Sequence, residues 1–347
     1  MRLGYEQIKE ICLGAVGIKE AEDGVCLHRF TEEQEALYKK VNADFYKKTR
    51  ACAGVKLSFE TDSKSLFLKV YVAAASARKY FSIDIFADGK TVGYLDNFSG
   101  VNLPRDYTTM QLPHGTFSKN FSLGAGLKKV CIYLPWSVAV LINELSLDDG
   151  ALVRPIKPKR KMLFFGDSIT QGYDALRPSN RYTTKLAEAF GAEEINKGIA
   201  GEQLFPELAN TREDFCPEYI CVAYGTNDWS KSTEDDFLQR CYAFYRTLHT
   251  NYPTSRIFAI TPIWRKDQDV ARDFGEFSKV RECIQNVVKD FSNITCIDGL
   301  NLVPHDESCF GDLRLHPNDS GFACYYQNLF EKIKKEIDGK TDSEGLC

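Results

Sequence analysis

The twelve cysteines of this chain contain no C-x-x-C pair and lie scattered from Cys12 to Cys347. That scatter speaks against a zinc site, which needs clustered cysteine or histidine ligands. Cys131 in "VCIY" and Cys221 in "YICVAY" sit in apolar runs and read as small core residues. There is no excess of basic charge; the formal net charge is −4. A polyanion binder needs a basic footprint, so nucleic acid is not an expected partner. No apolar run approaches the length that crosses a bilayer, so no membrane partner is expected. The first twenty residues lack the basic start, continuous apolar middle and small-residue cleavage site of an export signal. Together with unpaired thiols, this sets the expectation of a cytoplasmic protein. Internal repeats and low-complexity segments are missing as well.

What is present is the composition of a folded chain: 347 residues, 44% hydrophobic and 27% charged. At roughly 100–200 residues per domain, the length points to two domains. The halves differ in period. "VKLSFE", "SLFLKVYV" and "YFSIDIFADGKTVGYL" alternate with period two, and Asp88-Gly89 in the last is a two-residue hairpin turn. "KKVCIYLP" and "VAVLINELSL" continue the pattern, which predicts an antiparallel sandwich. One helix, "TEEQEALYKK", precedes these strands, with Thr31 as its N-cap. "VRPIKPKRK", residues 153–161, has two prolines, five basic residues and no apolar period, and reads as a linker.

Beyond it strand and helix alternate. Apolar strands in "MLFFGD", "EEINKGIAG", "YICVAYG", "RIFAITPIW" and "ITCIDG" are separated or followed by helical segments. The last helix begins near Pro317. This alternation predicts a parallel sheet with helices on both faces, whose sites lie at the carboxyl ends of the strands. The expected extents are 1–152 for the sandwich, 153–161 for the linker, 162–340 for the second domain and 341–347 for a frayed tail.

Four short polar motifs converge on that edge. "GDSIT" places Ser168 at a strand-to-helix turn, where it is either an N-cap or a nucleophile near a positive helix end. "NKGIAGE" offers Gly201, a tight-turn residue or an oxyanion-hole donor. "YGTNDW" offers the Asn227 amide, a turn residue or a further donor. "GDLRLHPND" offers His316, which can take a serine proton and pass it to a leaving alcohol.

In the order Gly-Asp-Ser, Gly, Asn, His, these blocks resemble the SGNH hydrolase superfamily, the GDSL esterases, over about residues 161–337. The resemblance implies a flavodoxin-like three-layer α/β domain. It implies Ser168 as nucleophile and His316 as general base. The oxyanion hole would be formed by the Ser168 and Gly201 N–H groups and the Asn227 amide. Neither metal nor organic cofactor is implied. Asp167 and Asp228, inside the motifs, read as loop braces. A jelly-roll-like sandwich ahead of such a domain is similar to the layout of carbohydrate esterase family 2, whose members deacetylate sugars. Trp229 and Trp264, near strand ends, are candidate sugar-stacking faces or plain packing residues. The family's last block is D-x-x-H, yet Leu313 stands three before His316 and Asp312 four before. Three readings stay open for the histidine's partner: Asp312 through a wider turn, a backbone carbonyl, or another carboxylate such as Asp306 or Glu307. His305 is a rival base.

The implied activity is hydrolysis of short acyl esters, O-acetyl groups on small or oligomeric carbohydrates foremost. A lysophospholipase or thioesterase, and a carbohydrate-binding protein with a relict hydrolase domain, are the alternatives.

Overall fold

The computed structural model describes residues 1–344. Eleven strands ahead of Arg160 form two antiparallel sheets, the last of them, Arg154–Pro155, pairing off the main order. One runs Cys12–Leu13, Lys56–Thr61, Lys128–Tyr133, Ser82–Ala87, Lys90–Asp96. The other runs Gly17–Ala21, Gly24–His28, Val138–Leu147, Ser65–Ala74, Gly115–Ser122. Their facing residues share one core, with Leu57, Phe59, Ile83 and Ile132 from the first sheet and Leu66, Leu68, Val70 and Val140 from the second. Period-two alternation is the cause: every second side chain of a strand points to the same face. Asp88 and Gly89 both take positive φ, at 49° and 75°, as a two-residue hairpin requires. Helix Glu32–Val41 starts at a Thr31 cap, with Gln34 closing the capping box. The hairpin Gly17–His28 and the helices Tyr5–Ile11 and Ala43–Thr49 have no counterpart in the sequence reading.

The second half is a five-stranded parallel sheet. We label its strands β1 (Arg160–Gly166), β2 (Ala192–Asn196), β3 (Tyr219–Ala223), β4 (Arg256–Ile260) and β5 (Ile294–Ile297). Their spatial order is β2-β1-β3-β4-β5, the flavodoxin-like order, and every pairing is parallel. Along β1, Leu163 and Phe165 enter one core while Met162 and Phe164 enter the other. Helices therefore cover both faces. The helices that matter here are α1 (Ser168–Gln171), α2 (Tyr182–Ala189), α3 (Thr226–Lys231), α4 (Glu234–Asn251), α5 (Ser278–Val288) and α6 (Asp319–Glu344).

Three boundaries gain detail. The expected linker is largely ordered, since Arg154–Pro155 pairs with strand Lys56–Thr61 and Arg160 already belongs to β1. Pro317 lies ahead of α6, bridged to Phe310, and the first turn is closed by Asn318, whose carboxamide oxygen accepts the Gly321 N–H at 3.0 Å. Helix α6 runs through Glu344, into the expected frayed tail; residues 345–347 lie outside the described residues.

The two halves are not separate bodies joined by a string. Phe30 and Tyr38 belong to one core of the parallel domain, and Tyr80, Tyr107 and Trp136 belong to the other. The sandwich loops 75–81, 97–114 and 134–137 all emerge at one end of the sandwich, because Val138 pairs with Ala74 and Ser82 with Asp96. That end meets the loop after α1. Arg177 pairs with Asp96 at 2.7 Å, Ser179 Oγ donates to Asp84 at 2.7 Å, and Trp136 Nε1 donates to Ala175 O at 2.9 Å.

Candidate active site

The four motifs meet at the carboxyl edge of the sheet. Gly166 ends β1 where a Cβ would lie 2.2 Å from Thr170 Oγ1 and 2.7 Å from Ala223 O, so only glycine lets the chain turn there. Asp167 caps α1 by accepting the Ile169 N–H at 2.9 Å. Ser168 is the next residue and is buried. As the first residue of α1 its N–H has no acceptor within the helix. Its Oγ lies 2.8 Å from His316 Nε2, and His316 Nδ1 lies 2.7 Å from Asp312 Oδ2. With Nδ1 donating to the carboxylate, Nε2 is the lone-pair nitrogen that faces the serine hydroxyl.

The extra residue between Asp312 and His316 is absorbed locally. Leu313 takes φ +58°, a left-handed conformation that wraps the chain around the carboxylate. Asp312 Oδ1 accepts the N–H groups of Arg314, Leu315 and His316 at 3.0, 2.7 and 3.0 Å. Gly311 N–H closes the loop on His316 O at 2.8 Å. Burial raises the Asp312 carboxyl, but the hydrogen bond and charge of His316 and the loop N–H groups outweigh it and hold it well below the usual carboxylate range. The residues named in the other readings are engaged elsewhere. Asp306 caps a short turn at Ser308, Glu307 pairs with Lys266, and His305 bonds Leu300 O while stacking on Trp264.

The second block is held by basic residues that have no motif. Arg29 is fully buried and donates to Asn196 O at 3.0 Å and Gly198 O at 2.8 Å. Lys48 and Lys231 hold the carbonyls of Ala200 and Gly201 at 2.9 and 2.8 Å. Gly201 takes φ +84°. A Cβ there would make only ordinary contacts, so backbone conformation, not space for a substrate, is the reason for glycine. Asn227 Nδ2 donates to Glu202 O at 2.9 Å, which fixes the amide and leaves its second N–H unspent. Asp228 accepts the Leu204 N–H at 3.1 Å and pairs with Arg240 at 3.2 Å. Asp167 and Asp228 thus act as braces. Burial pushes their carboxyls up to about 7 and about 6.

Trp229 is corrected. It is fully buried, donates to Gly275 O, and has Arg265 and Arg272 over its ring at 4.9 and 5.1 Å, so it has no face for a sugar. Trp264 is half-buried against Phe310, beside the His316 loop. A cavity of about 710 Å³ opens farther along the edge, between Thr261, Arg272, Phe277, Arg281 and Asp298; no residue of the four motifs lines it.

Asp174, Asp312 and His316 are the one group of potential cation ligands among the described residues. Their donors are spent: Asp174 is bound by Arg78 at 2.6 and 2.9 Å, and Asp312 by the loop N–H groups. The trio is built to hold a histidine rather than a cation. Sequence reasoning missed Asp174, Arg78, Arg29 and Glu202, because each acts through a partner remote in sequence.

Glu202 also sets a pH dependence. Burial pushes its carboxyl up to about 8, against the hydrogen bond from Tyr224 that lowers it. A raised carboxyl contributes stability that is full below its unfolded value of about 4.3 and is lost as pH rises through the folded value. Glu202→Gln is therefore expected to flatten the fall in Tm between about pH 4 and 8. Equal slopes for the variant and the parent protein would refute this role.

The family model of GDSL-like lipases and acylhydrolases matches residues 164–324, the span that carries all four motifs. The match likens the parallel-sheet domain to GDSL-type carboxylic ester hydrolases. The whole chain is similar to a protein described as a GDSL-like lipase from Bacteroides ovatus ATCC 8483, at 22% identity and TM-score 0.76, covering 97% of this chain and 98% of that one. It is similar to the salicylyl-acyltransferase SsfX3 of a tetracycline biosynthetic pathway, at 18% identity and TM-score 0.76, covering 93% of each chain. It is also similar to a family two carbohydrate esterase from Clostridium thermocellum, solved with cellohexaose, at 15% identity and TM-score 0.63, covering 94% and 99%. The two-domain layout is thus shared with carbohydrate esterase family 2. No curated protein matches the sequence. Among the described residues no helix is long and apolar enough to cross a membrane.

Proposed function

We propose that this protein is a serine esterase that removes short acyl groups, O-acetyl on carbohydrate foremost, through an acyl-Ser168 intermediate. The observation that carries this reading is the unbroken chain from Asp312 through His316 to Ser168, 2.7 and 2.8 Å long at its two links. Ser168 Oγ attacks the acyl carbon as Nε2 takes its proton. The oxyanion receives the Ser168 and Gly201 N–H groups and the free N–H of Asn227. The imidazolium, compensated by Asp312, gives its proton to the leaving alkoxide. Water then repeats the sequence on the acyl-enzyme, with His316 as base, and acetate leaves.

The carbohydrate assignment rests on the layout shared with family two esterases and on Trp264 beside the His316 loop. Eleven free thiols among the described residues accord with a reducing, cytoplasmic setting. A second reading, acyl transfer to an acceptor other than water, is favoured by the likeness to SsfX3. The test is acetate release from p-nitrophenyl acetate and from a panel of acetylated mono- and oligosaccharides, with Ser168→Ala as control. Serine-dependent release from at least one sugar is expected. Turnover of acyl-CoA or lysolipid with none on sugars overturns the substrate class. Acyl product that grows with added alcohol at the expense of acetate selects the transfer reading.

A further inference from the structure

His316 has two carboxylates on its Nδ1 side. Asp312 is the nearer. Asp174 Oδ2 lies 3.7 Å from the same nitrogen, and its side chain is fully buried. Asp174 is held from the sandwich. Arg78 clamps it through Nε and Nη2 at 2.6 and 2.9 Å, and Tyr80 donates its hydroxyl at 3.0 Å. Tyr107, from a second sandwich loop, donates to the Asp174 carbonyl at 2.6 Å. Asp174 takes φ +72°, an uncommon conformation for a residue with a side chain, here fixed by contacts on both its backbone and its carboxylate. The Arg78 guanidinium lies close enough to feel Asp312 as well as Asp174.

We propose that Asp174 is a positioning residue for His316, its charge balanced by Arg78, so that the sandwich sets the electrostatics of the hydrolase site. Asp174 is a standby acceptor for the Nδ1 proton, and Arg78 keeps the second carboxylate from over-stabilising the imidazolium. An uncompensated pair of carboxylates would favour the protonated ring and take the base out of service near neutral pH. The inference rests on the reading of His316 as the general base.

The charged and titrating groups around His316 are Asp312 on its own loop, Asp174 and Tyr173 after α1, the latter with its ring 5.5 Å from the imidazole, and Arg78, Tyr80 and Tyr107 from the sandwich. Asp167 before α1 is also felt by the ring. Asp167 is common to every variant below, so its titration cancels in the comparison.

The test is an NMR titration of the His316 ring, its signals assigned by their loss in His316→Gln. Arg78→Met removes the positive charge and is expected to raise the His316 pKa by about one unit. Asp174→Asn leaves Arg78 unbalanced and is expected to lower it by about as much. The double variant returns it near the parent value. Unchanged values, or shifts in the same direction, overturn the proposal. If Asp174→Asn does not fold, Arg78→Met alone must still raise the pKa. Asp312→Asn, which keeps an acceptor for the loop N–H groups, is expected to lose about 10²-fold in kcat/KM. Adding Asp174→Asn should extend that toward the roughly 10⁴-fold of a triad without its carboxylate. No further loss in the double variant also overturns it. The ring titration reads the imidazole whether or not any ester turns over, so failure of this inference and failure of the proposed reaction are separate results.

Discussion

Ser168→Ala is expected to lower kcat on p-nitrophenyl acetate by on the order of 10⁶-fold while leaving Tm nearly unchanged. The hydroxyl's hydrogen bond is to His316 Nε2, and alanine keeps the Cβ of this buried position. Losing it costs little stability but removes the atom that would form the acyl-enzyme. His316→Ala should cost nearly as much, because without the base the hydroxyl stays protonated. The double variant should be no worse than either single one, since the two groups act as a unit. A residual rate of roughly 10³ over water should persist, because the proposed oxyanion donors, the backbone N–H groups of residues 168 and 201 and the Asn227 amide, remain in place. Fully additive losses, or a variant that keeps more than about a tenth of the parent kcat, would remove the proposed mechanism.

The second large effect is on stability, and it comes from Arg29. Its guanidinium is buried and donates to four carbonyls, those of Ala51, Asn196, Gly198 and Lys48, at 2.8 to 3.0 Å. Burial lowers its pKa to about 10, so it stays charged at neutral pH. Methionine matches the stem but donates nothing, and each buried carbonyl left without a partner costs about 1–3 kcal/mol. Removing a buried charge offsets part of that. Arg29→Met is thus expected to cost about 4 kcal/mol, a large share of a typical total of 5–15 kcal/mol. Because two of the four carbonyls belong to the second block, kcat should fall even in the fraction that folds. A loss under about 1 kcal/mol in urea titration would show that water or relaxation replaces the guanidinium.

Both predictions show where the sequence was legible. The shared edge of Ser168, Gly201, Asn227 and His316 could be read from it because each follows a strand or precedes a helix in a short polar motif. Parallel strands flanked by helices deliver such motifs to one edge. Thr31 and the Asp88-Gly89 turn were readable because caps and hairpin turns are decided within four residues. Asp312 was half readable. Its spacing departs from the pattern, and only the left-handed Leu313 shows how the carboxylate reaches the ring. Trp229 misled, because an aromatic residue after a strand looks the same in sequence whether its face is open or covered by arginines.

By itself, then, the sequence determined the alternation of parallel strands and helices in the second half, the period that buries one face of each strand in the first, and the convergence of four polar blocks on one edge. These depend on periods and on neighbours within a few residues. Only the tertiary structure decided that Arg78 of the sandwich clamps Asp174 beside His316, that Arg29 holds the second block, and that the sandwich abuts the site. Those contacts join residues 96 and 167 positions apart. Their strength comes from burial, which makes an unpaired charge or carbonyl expensive, and burial is a property of the packed chain rather than of any stretch of it.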